Sequence, residues 1–322
     1  LKLKSITPKK FQQSFNYSVN IFPNSVALTI NNKKLIPGKD FLVSNESRSI
    51  DMASTLDKKD SVTYIDKNHH TIVSLVDKLT WSVSQKQEDY TAFNVLKSSL
   101  LETPETYQAS IESALIPSFQ AFNIAAMVKG KYVPDSFLVF TAHYDHLGTM
   151  GNDVIFPGAN DNASGVALLL TLAKYYAKHP LKYSILFIAF AGEEAGLIGS
   201  KYFTDYPPID LKKIRFLTNL DLMGNGEEGI TVVNATEFPK EFELMQEINT
   251  KRNYLTTINS RGKAKNSDHY WFTEKGVPSF FIYTLGKRKS YHDIYDISST
   301  LPLNKINDLK LLLTNFYQIL IK

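Results

Sequence analysis

Imidazoles and carboxylates gather at five places in this sequence, four of them just beyond an apolar run. His143, Asp145 and His146 follow the run 136–142, and Glu193 and Glu194 follow 183–191. Asp221 lies at the end of 214–222, and Tyr291, His292 and Asp293 come one loop after 279–284. Asp161 stands apart, in a loop framed by Gly158 and Gly165 ahead of a helical pattern. His, Asp and Glu are donors for divalent metal ions, and they also carry protons in hydrolysis. Carboxylates sharing one cleft suppress each other's ionisation unless a positive charge compensates. No Lys or Arg lies within these motifs, so a divalent metal is the natural compensator. Asp161 can present both oxygens and bridge two ions, each taking one His and one further carboxylate. Two ions roughly 3.5–4 Å apart can clamp the attacking and leaving oxygens of a displacement.

Other chemistries are closed off. The chain has no cysteine, which excludes a disulfide framework, a thiolate zinc site and a Cys nucleophile. There is no Gly-x-Ser-x-Gly elbow for a serine hydrolase. The other histidines read more plainly. His146 is a supporting or rim residue and His269 a structural one. His69-His70 form a surface pair, and His179 ends a helix, where positive charge suits the dipole. The run 287–289, Lys-Arg-Lys, reads as a solvated loop.

The elements that must position these groups alternate along the second half of the chain. Apolar runs at 136–142, 183–191, 214–222, 229–233 and 279–284 predict strands. Helical spacing predicts helices over 163–178, 194–202, 239–250 and 303–321, the first capped by Asn162 and stopped at His179-Pro180. Strands that are nearly continuously apolar, alternating with helices, imply an α/β fold. Its mixed sheet is mostly parallel, with helices on both faces and the ligand site at the strands' carboxyl ends. Residues 1–133 read as a small, partly β N-terminal region of open role, and 134–322 as the catalytic domain. Within the first part, Asn31-Asn32 predicts a hairpin turn and Pro37-Gly38 another turn, while 89–101 and 110–115 fit helix or strand equally.

The 322 residues are 43% hydrophobic and 21% charged, with a net charge of +4 spread along the chain, so nucleic acid is not a partner. No apolar run is long enough for a transmembrane segment. A start at Leu1, without the apolar core of a signal peptide, fits a processed chain whose targeting segment has been removed.

Taken together, the motifs 142–148 (AHYDHLG), 158–165 (GANDNASG), 191–200 (AGEEAGLIGS), 219–224 (NLDLMG), 267–269 (SDH) and 291–292 (YH) resemble metallopeptidase family 28. That family includes aminopeptidase Y, glutamate carboxypeptidase II and glutaminyl cyclase. The likeness runs from about Phe137 to Asp296. It implies a zinc-exopeptidase fold of the phosphorylase/hydrolase-like type and two zinc ions per chain. His143 and Asp221 would hold one ion, Glu194 and His292 the other, and Asp161 both. Glu193 would be the general base toward a water activated between the metals, and Tyr291 a hydrogen-bond donor to the tetrahedral oxyanion. Asp145 would be the carboxylate that orients the His143 ring, and the Asp161–Asn162 bond would be cis. The activity implied is that of an aminopeptidase acting on peptide N-termini. A single-zinc glutaminyl cyclase or a carboxypeptidase on the same scaffold are the alternatives, and a non-catalytic binding homologue is disfavoured by the full ligand set. For a carboxypeptidase, no basic group to grip the substrate's carboxylate can be placed from sequence. An extracytoplasmic location is the family expectation. Asp293 departs from the usual Thr: its carboxylate either adds negative potential beside His292 or faces solvent.

Overall fold

The computed structural model describes residues 3–5 and 11–321; Leu1 and Lys2, on which the reading of the chain's start rests, lie outside them. The apolar runs assemble into a nine-stranded sheet. Four central strands, Tyr183–Phe190, Val133–His143, Ile214–Leu220 and Ser279–Leu285, run parallel in that spatial order. Ala114–Val128 continues the sheet antiparallel on one side and Gly229–Val233 on the other, where Ile258–Arg261 forms the edge.

These strands carry apolar side chains on both faces because both faces are covered. Leu138 and Phe140 point into one core with helices Gly165–Lys178, Pro239–Arg252 and Ile306–Leu320. Phe137 and Val139 point the other way, toward Phe203 of helix Ile198–Asp205 and Phe272 of helix His269–Glu274. Phe140 stacks on Tyr317 at 4.3 Å between ring centroids, and the Tyr317 hydroxyl donates to the Val139 carbonyl at 2.7 Å. The ring is thus buried without leaving its polar end unpaired. Among the described residues, no helix is long and apolar enough to cross a membrane.

Two smaller sheets lie between Phe22 and Ser113. Their shared core includes Phe41, Trp81 and Phe93. Asn31 and Asn32 do make the hairpin turn between Ala27–Ile30 and Lys33–Lys34, with φ of 47° and 63°. A tight two-residue loop of this hand needs positive φ at both positions, which Asn tolerates. The ambiguous stretches resolve as strands: Thr91–Leu96 in one, and the junction of Thr106–Ile111 with Ala114–Val128 in the other. Cross-strand partners decide such segments more than propensity does.

Three boundaries differ from expectation. A border at 133 would cut the large sheet, because Gln12–Ile21 and Ala114–Val128 belong to it. The first long helix begins at Gly165, after a wider turn Ala159–Ser164; Asn162 caps it from within that turn, its Oδ1 accepting the Gly165 N–H at 3.0 Å. The helix expected from 194 starts only at Ile198, because Gly196 and Leu197 have φ of 109° and 61°, which no right-handed helix accommodates.

Candidate metal centre

Each chemical residue is delivered by the end of a strand or the loop beyond it. His143 is the last residue of its strand, and Asp221 follows Ile214–Leu220 directly. These two strands are hydrogen-bonded neighbours, so His143 Nε2 and Asp221 Oδ1 meet at 3.3 Å. Glu194 sits in the turn after Tyr183–Phe190, and His292 seven residues beyond Leu285. Their facing atoms, Nε2 and Oε2, lie 3.2 Å apart. Asp161 stands between the pairs, with Oδ1 at 3.3 Å from His143 Nε2 and Oδ2 at 3.2 Å from His292 Nε2. The Asp161–Asn162 bond is cis. A cavity of about 310 Å³ opens over the cluster, lined by His143, Asp161, Glu193, Asp221, Tyr291 and His292 among others. Glu194 and Asp145 do not line it.

The donor set can be tested against a metal by following the protons. His143 Nδ1 faces the Asp145 carbonyl at 3.1 Å, and a carbonyl only accepts, so Nδ1 carries the hydrogen. Nε2 then turns a lone pair toward two carboxylates, an arrangement that is repulsive without a cation. Burial alone would lower the His143 pKa; Asp221, Glu193 and the Asp161 contact outweigh burial and hold it well above the usual imidazole value. At His292 the same opposition, between burial and the carboxylates of Asp161 and Glu194, ends at about 10. Both imidazoles therefore sit where positive charge is strongly favoured. Each imidazole Nε2 has two carboxylate oxygens at 3.2–3.3 Å, and donors of His143, Asp161 and Glu194, and of His143, Glu193 and Asp221, also lie close enough together to share an ion, a donor set that suits zinc.

The remaining polar groups have distinct environments. Burial pushes the Glu193 pKa well above the usual carboxylate range, and Asp268, Asp221 and Glu194 add to the rise. Burial and the charge of Glu194 push Asp145 up to about 6. The Asp145 carboxylate accepts the main-chain N–H groups of Glu193 and Glu194, each at 3.3 Å, and stays 3.8 Å from His143 Nδ1. Orientation of the His143 ring therefore falls to the Asp145 carbonyl more than to its carboxylate. Tyr291 stacks on His292 at 4.0 Å; burial, with Asp161 and Glu194, raises its pKa, so the phenol keeps its proton as a donor.

His146 takes the supporting one of its two expected roles, its Nδ1 lying 2.8 Å from Glu194 Oε1. Other supporting roles were not expected: the Ser267 hydroxyl donates to Asp221 Oδ2 at 3.0 Å. The Asp296 carboxylate accepts the N–H groups of Asn160 and Asp161 at 2.9–3.0 Å, which holds the loop that carries Asp161. Asp293 does not face solvent: it is 7% exposed, accepts the N–H groups of Tyr291 and Tyr295, and pairs with Lys78 at 3.4 Å. Arg288 is no solvated residue either, since its guanidinium packs 3.7 Å from Asp296. Position after an apolar strand marked Asp221 and His143; the contacts of Ser267 and Asp296 were not legible, because their partners are 46 and 135–136 residues away.

The profile of Peptidase family M28 matches residues 123–317. Aminopeptidase YwaD of Bacillus subtilis is 31% identical over 163 residues, which is 49% of this chain and 34% of that protein. A probable zinc metalloprotease of Pyrenophora teres f. teres is 34% identical over 129 residues, 39% of this chain and 27% of its own length. The chain therefore spans only about a third or less of the curated relatives it matches. Among solved structures, BSAP, a zinc aminopeptidase from Bacillus subtilis, superposes with a TM-score of 0.70 at 18% identity, covering 95% of this chain and 83% of that one, a likeness of fold. With the family profile extending over more than half of its length, this chain belongs to peptidase family M28.

Proposed function

We propose that this chain is a zinc-dependent exopeptidase, an aminopeptidase that removes N-terminal residues from peptides using two zinc ions. The observation that carries the reading is Asp161, whose two oxygens each face a different imidazole, each imidazole facing one further carboxylate. His143, Asp161 and Asp221 would hold one ion, and His292, Asp161 and Glu194 the other. Bound there, zinc supplies Lewis acidity toward water and the scissile carbonyl. Glu193 lines the cavity, and burial, with the neighbouring carboxylates, keeps it basic enough to take a proton from the attacking water and return it to the departing amine. Tyr291, protonated and half-exposed over the same cavity, donates toward the oxygen that gains charge. The relative named an aminopeptidase supports the choice of an N-terminal substrate.

One observation favours a second reading. Arg261 lines the same cavity and has no carboxylate partner among the described residues, only the Tyr283 hydroxyl at 3.4 Å. It is the basic group that a carboxypeptidase would use for a terminal carboxylate. The two readings separate on two substrates: aminoacyl-nitroanilides, and N-blocked dipeptides with a free carboxylate. The aminopeptidase reading expects chelator-sensitive release from the first alone, restored by zinc. Turnover of only the blocked substrate would overturn it.

A further inference from the structure

We infer that the segment from Lys78 to Gln85, in the N-terminal β region, is a positioning strap for one half of the metal centre, the pair Glu194 and His292. The inference rests on the two-zinc reading. The strap is anchored at its middle. Leu79 and Trp81 are buried in the N-terminal core. The Trp81 indole donates to the Val43 carbonyl at 2.7 Å and stacks on Phe156 at 4.8 Å with planes 10° apart. From this anchor three groups reach the two loops that carry the ligand pair. The Trp81 main-chain N–H donates to the His292 carbonyl at 2.9 Å. Lys78 Nζ donates to the Lys289 carbonyl at 3.1 Å and the Tyr291 carbonyl at 3.5 Å, and pairs with Asp293 at 3.4 Å. Gln85 Nε2 donates to the carbonyl of Ala195, the residue after Glu194, at 2.8 Å.

The need for a strap follows from where the ligands stand. His292 lies seven residues past the end of its strand and adopts φ of 53°, a conformation uncommon for a non-glycine residue. A loop of that length does not hold an imidazole to a fixed position without outside contacts, and ligand order sets metal affinity. His143 and Asp221 need no such help, because paired strands deliver them. The strap binds Glu194 and His292 to one rigid body, so its effect falls on the zinc they share.

The test is a zinc titration of the metal-stripped full chain by isothermal calorimetry, with thermal melts to check folding. Wild type is expected to take up two zinc ions. Lys78→Ala/Gln85→Ala is expected to bind the first as before and the second roughly 10- to 100-fold more weakly. The conservative Lys78→Arg is expected to retain near wild-type affinity at both. Unchanged binding of both ions, or equal weakening of both, would overturn the strap. A wild-type chain that binds one zinc or none would overturn the two-zinc reading, and the strap with it. Should the double variant fold poorly, Gln85→Ala, at an exposed side chain, carries the same test with a smaller selective loss expected.

Discussion

The two halves of the metal centre are built by different means. His143 and Asp221 ride on adjacent parallel strands whose register is set by the large sheet and by cores on both faces. Glu194 and His292 ride on loops, and are steadied by contacts from elsewhere: His146 on the Glu194 carboxylate, Trp81 and Lys78 on the His292 loop, Gln85 beside Glu194. The first half inherits its precision from secondary structure, where each position is over-determined by many hydrogen bonds. The second borrows precision from a region that carries no candidate ligand of its own.

Four substitutions or treatments probe that contrast. The largest effect is expected at the turn between the halves. Glu193→Gln should lower peptide hydrolysis by about 10²- to 10⁴-fold, the usual worth of a general base, with zinc content unchanged. Glu193 also lies close enough to His143 and Asp221 to act with them as a ligand. Loss of a zinc ion in that variant would therefore move Glu193 from base to ligand and redraw the sheet-borne half. Next, Phe140→Ala beneath that half removes a fully buried ring and should cost about 3–5 kcal/mol in urea unfolding. A much smaller loss would mean that the sheet is not what holds His143.

Graded chelation should separate the halves more gently. On the two-zinc reading, the ion that Glu194 and His292 would hold should leave first, at a chelator concentration about 10-fold below that needed for the other. Simultaneous loss of both would erase the contrast. The smallest effect is expected in the region that bears the strap. Burial alone would raise the pKa of Asp66, but hydrogen bonds from Ser54, His69 and Tyr107 outweigh it and bring the carboxyl to about 2, against 3.8 in an unperturbed side chain. Its folded pKa is lowered, so its contribution is complete above pH 3.8 and lost as pH falls through 2. Asp66→Asn should cost about 1 kcal/mol at pH 7, and its difference from wild type should shrink between pH 4 and pH 2. A deficit independent of pH would assign the effect to packing.

Much of the sheet-borne half was legible in the residues themselves. An apolar run of seven or eight residues predicts a strand buried on both faces, and a polar residue at its end falls at the mouth of the sheet. His143, Asp221 and the strands around them follow from that pattern. The stretches near Asp89 and Ser110 were not legible, because their strand partners come from distant parts of the chain. Nor was the border of the N-terminal region, since Gln12–Ile21 looks like any half-exposed strand until Ala114–Val128 pairs with it. The start of helix Ile198–Asp205 was misplaced because a helical-looking run of residues hides two left-handed backbone positions.

By itself the sequence determined which groups are available for chemistry and which kind of element delivers each, because apolar periodicity and residue type are local properties. Only the tertiary structure decided that Asp161 stands between two imidazoles, that Asp293 is tied to Lys78, and that the Trp81 N–H donates to the His292 carbonyl. Those facts depend on distances between residues far apart in the chain, and such distances exist only once burial of the cores has set the strands in register.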